Sequence, residues 1–128
     1  MPHRSLLLLA ALDALIAVLA GAFGAHGLKT VFDDYQMDIY RTAVEYQMWH
    51  ALGLGLIALL NGSMPGAKNL ALAGWIMQAG ILLFSGSLYA LALTRVKLLG
   101  LITPVGGTAF LVAWSLLILE IWRMKKSA

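Results

Sequence analysis

The chain has 128 residues, of which 61% are apolar and 12% charged, with a mean hydropathy of +0.84 and a formal net charge of +3. A soluble domain carries roughly 45–50% apolar and about 25% charged residues, so both departures point to lipid as the solvent. The nine Lys and Arg are scattered between apolar runs, which leaves no basic stripe for nucleic acid to follow. With no cysteine, disulfides, thiolate metal sites and redox pairs are excluded.

A helix needs about 20 apolar residues to cross the hydrocarbon core. Four segments qualify, at residues 5–25, 43–60, 70–93 and 98–122. They predict one all-α domain over residues 1–128, an integral membrane bundle of four transmembrane helices with antiparallel neighbours. The start of the first span resembles a signal peptide, but a signal core is only about 7–15 residues long. The apolar run of residues 6–25 is longer, contains Asp13 and is followed by three more spans, so it reads as a retained helix. Along it Ala10, Asp13, Ala17, Gly21 and Gly24 recur at helical spacing. Small residues let helices approach closely in lipid, so this stripe turns Asp13 toward a neighbour. An acid inside a span costs roughly 2.5–3.5 kcal/mol on insertion scales, and protonation or a buried partner is expected for it.

The polar stretch 26–42 mixes aromatics with Asp33, Asp34 and Asp38. Tyr and Trp favour the headgroup level, which predicts a short amphipathic segment along the interface, with Tyr35 to Tyr40 as a lid. The second span opens on the densest polar cluster, Arg41 to His50. Thr42, Tyr46, Trp49, His50 and Gly53 share a face, flanked by Glu45 and Gln47. Because consecutive spans run in opposite directions, His26 comes to the level of Glu45. The predicted site is therefore a polar pocket of His26, Glu45, Tyr46, Gln47 and His50. His26, Glu45 and His50 are weak metal-ligand candidates; a hydrogen bond from His26 to Glu45 is the simpler expectation.

The turn at 61–66 contains Gly62, Pro65 and Gly66, all helix breakers. In the third span Ala71, Gly74, Gln78, Ser85, Tyr89 and Ala92 fall within an arc of roughly 60°. Close packing through Gly86 accounts for the small-residue motif of Phe84 to Ser87. The link 94–97 is short enough to force antiparallel neighbours. In the fourth span Thr103, Gly106, Gly107, Phe110 and Trp114 share a face. Thr103 followed by Pro104 reads as a helix start, which makes residues 98–102 a bent lead-in. Asp13, Gln78, Ser85, Tyr89 and Thr103 form a candidate intramembrane polar stripe. Flanking basic residues number five on the side of the termini (Arg4, Lys68, Arg123, Lys125, Lys126) and four on the other (Lys29, Arg41, Arg95, Lys97). The positive-inside rule then predicts cytoplasmic termini.

Four stretches, residues 21–28, 42–47 with His50, 84–89 and 103–107, resemble a known family in order along residues 4–123. It is the domain-of-unknown-function family of small bacterial inner-membrane proteins whose eukaryotic relatives are called transmembrane protein 256. The resemblance implies four helices in the bacterial plasma membrane and no established activity. Asp13 departs from that family's pattern, which has small or apolar residues there.

No nucleophile stands beside a base, and neither HExxH nor a phosphate loop occurs, so an enzyme is not expected, and no cofactor is implied. The leading expectation is an accessory, scaffold or lipid-binding membrane protein. Its expected partners are membrane lipids, with a homo-oligomer or larger membrane complex possible and no nucleic acid. The alternative is a small oligomeric transporter or channel for an ion or small molecule, for which Pro104 and Gly106-Gly107 would mark a broken helix.

Overall fold

The computed structural model describes residues 2–127, and the side chains of residues 3–124. Four helices run up and down in chain order: α1 (Pro2–His26), α2 (Asp34–Ser63), α3 (Asn69–Thr94) and α4 (Thr103–Ser127). All four are long and apolar enough to span a membrane, and no strand occurs among the described residues. Lys125 and Lys126, which enter the orientation count, lie outside the described side chains.

The second helix starts nine residues earlier than its apolar run. Asp33 caps it: its side chain accepts from the Gln36 backbone N–H at 2.8 Å, and the Gln36 side chain accepts from the Asp33 N–H at 3.2 Å. This reciprocal capping box satisfies two backbone donors at the helix start. The expected interfacial segment, Tyr35 to Tyr40, is thus helical but continuous with α2, and not a separate lid. At 1.5 Å per residue, α2's 30 residues span about 45 Å, against a hydrocarbon core of about 30 Å. Its first turns therefore stand at headgroup level.

The lead-in to α4 is bent as predicted, as a 3-10 helix over Lys97–Leu101. Thr103 opens the α-helix with Pro104 in its first turn, where a missing N–H costs nothing. At the end of α3, Arg95 adopts a left-handed conformation (φ 58°) and closes the helix by donating its N–H to the Leu91 carbonyl at 2.8 Å.

α2 and α3 form the central pair, with α1 laid mainly on α2 and α4 on α3. The inner helices are buried far more extensively than the outer ones. The α1 stripe faces inward as expected, with Ala10, Asp13, Ala17 and Gly24 buried. Around the terminal end, Leu6, Leu54, Ile57, Leu70 and Met77 fill an apolar core. Lipid tails are as apolar as these side chains, so the core's cohesion comes from close van der Waals fit. The tightest approach is between α3 and α4, where a Cβ on Gly106 would stand 2.8 Å from the Phe84 Cα. Gly86 does not serve this purpose: it is exposed, and a Cβ there would meet nothing within 4 Å. The motif's glycine faces outward, and the backbone contact is made by the facing helix's glycine.

Candidate functional site

A groove of about 290 Å³ opens between α1 and α2, lined by Gly21, Gly24, Ala25, Lys29, Met37, Tyr40, Arg41, Val44 and Glu45. Its floor is built by Tyr40, whose hydroxyl donates to the Ala20 carbonyl at 2.5 Å and ties α2 to α1. The ring lies so close to α1 that a Cβ on Gly24 would come to 2.5 Å of its Cε1. Gly21 and Gly24 thus leave an apolar trough beside Val44 and Met37. At its rim stand two cations, Lys29 and Arg41, and one carboxylate, Glu45, all exposed. Ion pairs among the described residues join only Arg95 to Asp33 and Arg123 to Glu120, so all three rim charges are unpaired.

The predicted five-residue pocket is not assembled. Successive residues of an α-helix are turned by about 100°, so taking Glu45 as origin places Tyr46 at about 100°, His50 at about 140° and Gln47 at about 200°. Three neighbouring helices divide these directions. Glu45 faces the α1 groove. Gln47 faces α3, where it accepts from the Tyr89 hydroxyl at 2.6 Å. His50 faces α4, its ring stacked on Phe110 at 3.5 Å between centroids, and Tyr46 points toward the α3–α4 seam, stacked on Phe84 of α3 at 4.4 Å. His50 Nδ1 lies 2.8 Å from the Tyr46 carbonyl; since a carbonyl only accepts, this nitrogen carries the proton. His26, exposed at the end of α1, does not line the groove. The metal candidates fall with the pocket, because among the described residues no three His, Cys, Asp or Glu side chains stand close enough to hold an ion.

The polar stripe likewise resolves into separate pairs. Ser85 donates to the Ala43 carbonyl at 2.8 Å, and Ser87, not Ser85, meets the Thr103 hydroxyl at 2.6 Å. Asp13 and Gln78 are both buried, and the Gln78 side chain is the group that faces Asp13.

Three features escaped the sequence reading, two of them at this end. Gln36 joins helix ends by donating Nε2 to the Ala92 carbonyl at 2.8 Å and accepting from Arg95 at 2.9 Å. Arg95 also pairs with Asp33. The Gln36 N–H first, and the Arg95 guanidinium next, hold the Asp33 carboxyl below the usual carboxylate range. At the opposite end Glu120, 5% exposed, pairs with Arg123. Its spacing from Phe110, Ala113 and Leu117, all buried, was the available signal: it continues the inward face of α4 by threes and fours.

No solved structure matches this chain. Among relatives, the UPF0382 membrane protein YwdK of Bacillus subtilis is 47% identical over 112 residues, covering 88% of this chain and 91% of the relative. A UPF0382 membrane protein of Staphylococcus epidermidis is 49% identical over 113 residues, with 88% and 91% covered. The family described as "Protein of unknown function (DUF423)" matches residues 20–107, a stretch that holds the groove, the capping box and most of the α2–α3 contact. With that match and this level of identity, the chain belongs to the DUF423 family, and its relatives are named as membrane proteins.

Proposed function

We propose that this protein is a lipid-binding membrane protein of the accessory or scaffold kind, and that its α1–α2 groove holds the phosphate of an anionic phospholipid. The observation that carries this reading is the pairing of unpaired Lys29 and Arg41 with an apolar trough on the same groove. Arg41 lies near the end of the stretch of α2 that overhangs the hydrocarbon core, which is the depth of lipid phosphates. The rim charges, two positive and one negative, leave one net positive charge, which matches a single phosphodiester. Charge-assisted hydrogen bonds to phosphate are about twice as strong as neutral ones, and basic groups near an anionic leaflet contribute about 1 kcal/mol each. The trough beside Gly21, Gly24 and Val44 would seat the upper acyl chain. By the basic-residue count the termini lie in the cytoplasm, which turns the groove toward the outer leaflet of the plasma membrane.

The test is thermal unfolding in a neutral detergent with added lipid. Phosphatidylglycerol is expected to raise the midpoint by a few degrees, since a ligand at about ten times its dissociation constant stabilises by about 1.4 kcal/mol. Phosphatidylcholine should do so less, and Lys29→Gln/Arg41→Gln should remove the difference. Equal shifts from the two lipids, or a preference surviving in the double variant, would refute the reading.

A further inference from the structure

Asp13 on α1 and Gln78 on α3 are 6% and 8% exposed, more than nine-tenths buried within the spanning part of the bundle. Asp13 Oδ2 and Gln78 Oε1 are the two buried side-chain atoms without a hydrogen-bond partner among the described residues. The Gln78 amide N–H bears on the Asp13 carboxyl, but it cannot serve its own Oε1, and acceptors left without a donor are costly where no water is at hand. The other neighbours supply no second donor. The part of α2 from Ala51 to Ser63 has no titratable residue, α3 has only Tyr89, committed to Gln47, and His50 faces α4. On α1 itself the other charged or titratable groups, His3, Arg4 and His26, sit at the two ends.

With the Gln78 N–H committed to the carboxyl, a second donor is needed for Gln78 Oε1 to complete the site. A hard metal cation takes six or more oxygen ligands, and only two oxygens are free here. A proton needs two. One proton on Oδ2, donated to Oε1, satisfies both orphan atoms with a single O–H···O bond. Sodium-like or divalent ions are thus disfavoured by ligand count alone.

We propose that Asp13 and Gln78 form a proton-binding site inside the membrane, in which Asp13 is a neutral carboxylic acid donating to Gln78 Oε1 and tying α1 to α3. This does not depend on the lipid reading, because the groove residues take no part. The tie has structural weight: α1 touches α3 sparsely, otherwise chiefly where Leu6 lies over Gly74. Loss of the proton would leave a carboxylate held only by the Gln78 N–H, with Gln78 Oε1 lacking a donor, and would loosen α1 from the central pair.

Solid-state NMR on full-length protein with 13C-carboxyl aspartate, in phosphatidylcholine vesicles at pH 7, reads this without any variant. Asp33, Asp34 and Asp38 are exposed, so one protonated carboxyl of four is expected. Asp13→Asn should remove that signal and retain the fold, since its amide can still donate to Gln78. Gln78→Met should keep the acid protonated but shift its infrared carbonyl stretch toward that of a free acid. Four ionised aspartates in the wild-type protein would overturn the proposal. So would a protonated signal that survives Asp13→Asn, or a stretch that Gln78→Met leaves in place.

Discussion

Where α2, α3 and α4 meet, each buried polar side chain has found a partner: Tyr89 with Gln47, Ser85 with the Ala43 carbonyl, Ser87 with Thr103. Where α1 crosses α3, Asp13 Oδ2 and Gln78 Oε1 are unbonded, and at the rim of the α1–α2 groove Lys29, just past α1, and Arg41 of α2 are unpaired. The seam is polar and closed, whereas α1 is polar and open. Closed pairs fix helix register and need nothing further. Open groups are where the proposed proton and the proposed headgroup would supply a partner. The difference also follows the packing, since the inner pair is enclosed on most sides and α1 leans on one neighbour.

The closed seam should break most severely at its backbone contact. Gly106→Ala drives a methyl into the Phe84 backbone, and overpacking of that kind costs about 1–3 kcal/mol. Gly86→Ala on the facing helix meets only open space and should be neutral or slightly stabilising. Thermal unfolding of both variants in one detergent makes the comparison, and equal losses would contradict the close approach. A smaller effect is expected at the hydrogen bonds. Gln47→Leu should cost about 0.6 kcal/mol and at most about 1.7, the range measured for interhelical bonds in membrane proteins. Tyr89→Phe added to it should cost less than the sum, because the orphan hydroxyl is then gone. Strict additivity would mean the two do not interact.

The smallest effect concerns the capped end. Asp33 is held below the ordinary carboxylate range by the Gln36 N–H and Arg95, so its contribution is present above the unfolded value of about 3.9. It is lost as pH falls through the lowered folded value. Asp33→Asn, which keeps an oxygen for the cap but loses the charge, should change little at pH 7 and flatten the acid limb below about pH 4. An unchanged acid limb would remove Asp33 from the account.

The spans were legible because twenty-residue apolar runs have one common explanation in lipid, and the α1 stripe was legible because small residues at helical spacing have a packing cause. The start of α2 was also written in the chain, as Asp33 followed three residues later by Gln36, but the apolar run hid it, since caps lie outside hydrophobic stretches. The five-residue pocket failed for a different reason. Polarity along a helix was read as polarity on one side of it, although the turn from Glu45 to Gln47 nearly reverses direction. Partners such as Gln47 for Tyr89, or Gln78 for Asp13, depend on how far one helix slides along another, which no single-helix pattern encodes.

Native mass spectrometry of the protein released from mixed phosphatidylglycerol and phosphatidylcholine vesicles tests the central claim most directly, because it counts retained lipids by mass. The account predicts one phosphatidylglycerol retained per chain by the wild-type protein and by Asp13→Asn, and its loss in Lys29→Gln/Arg41→Gln. Retention of phosphatidylglycerol by that double variant at the wild-type level would contradict the groove as the binding site.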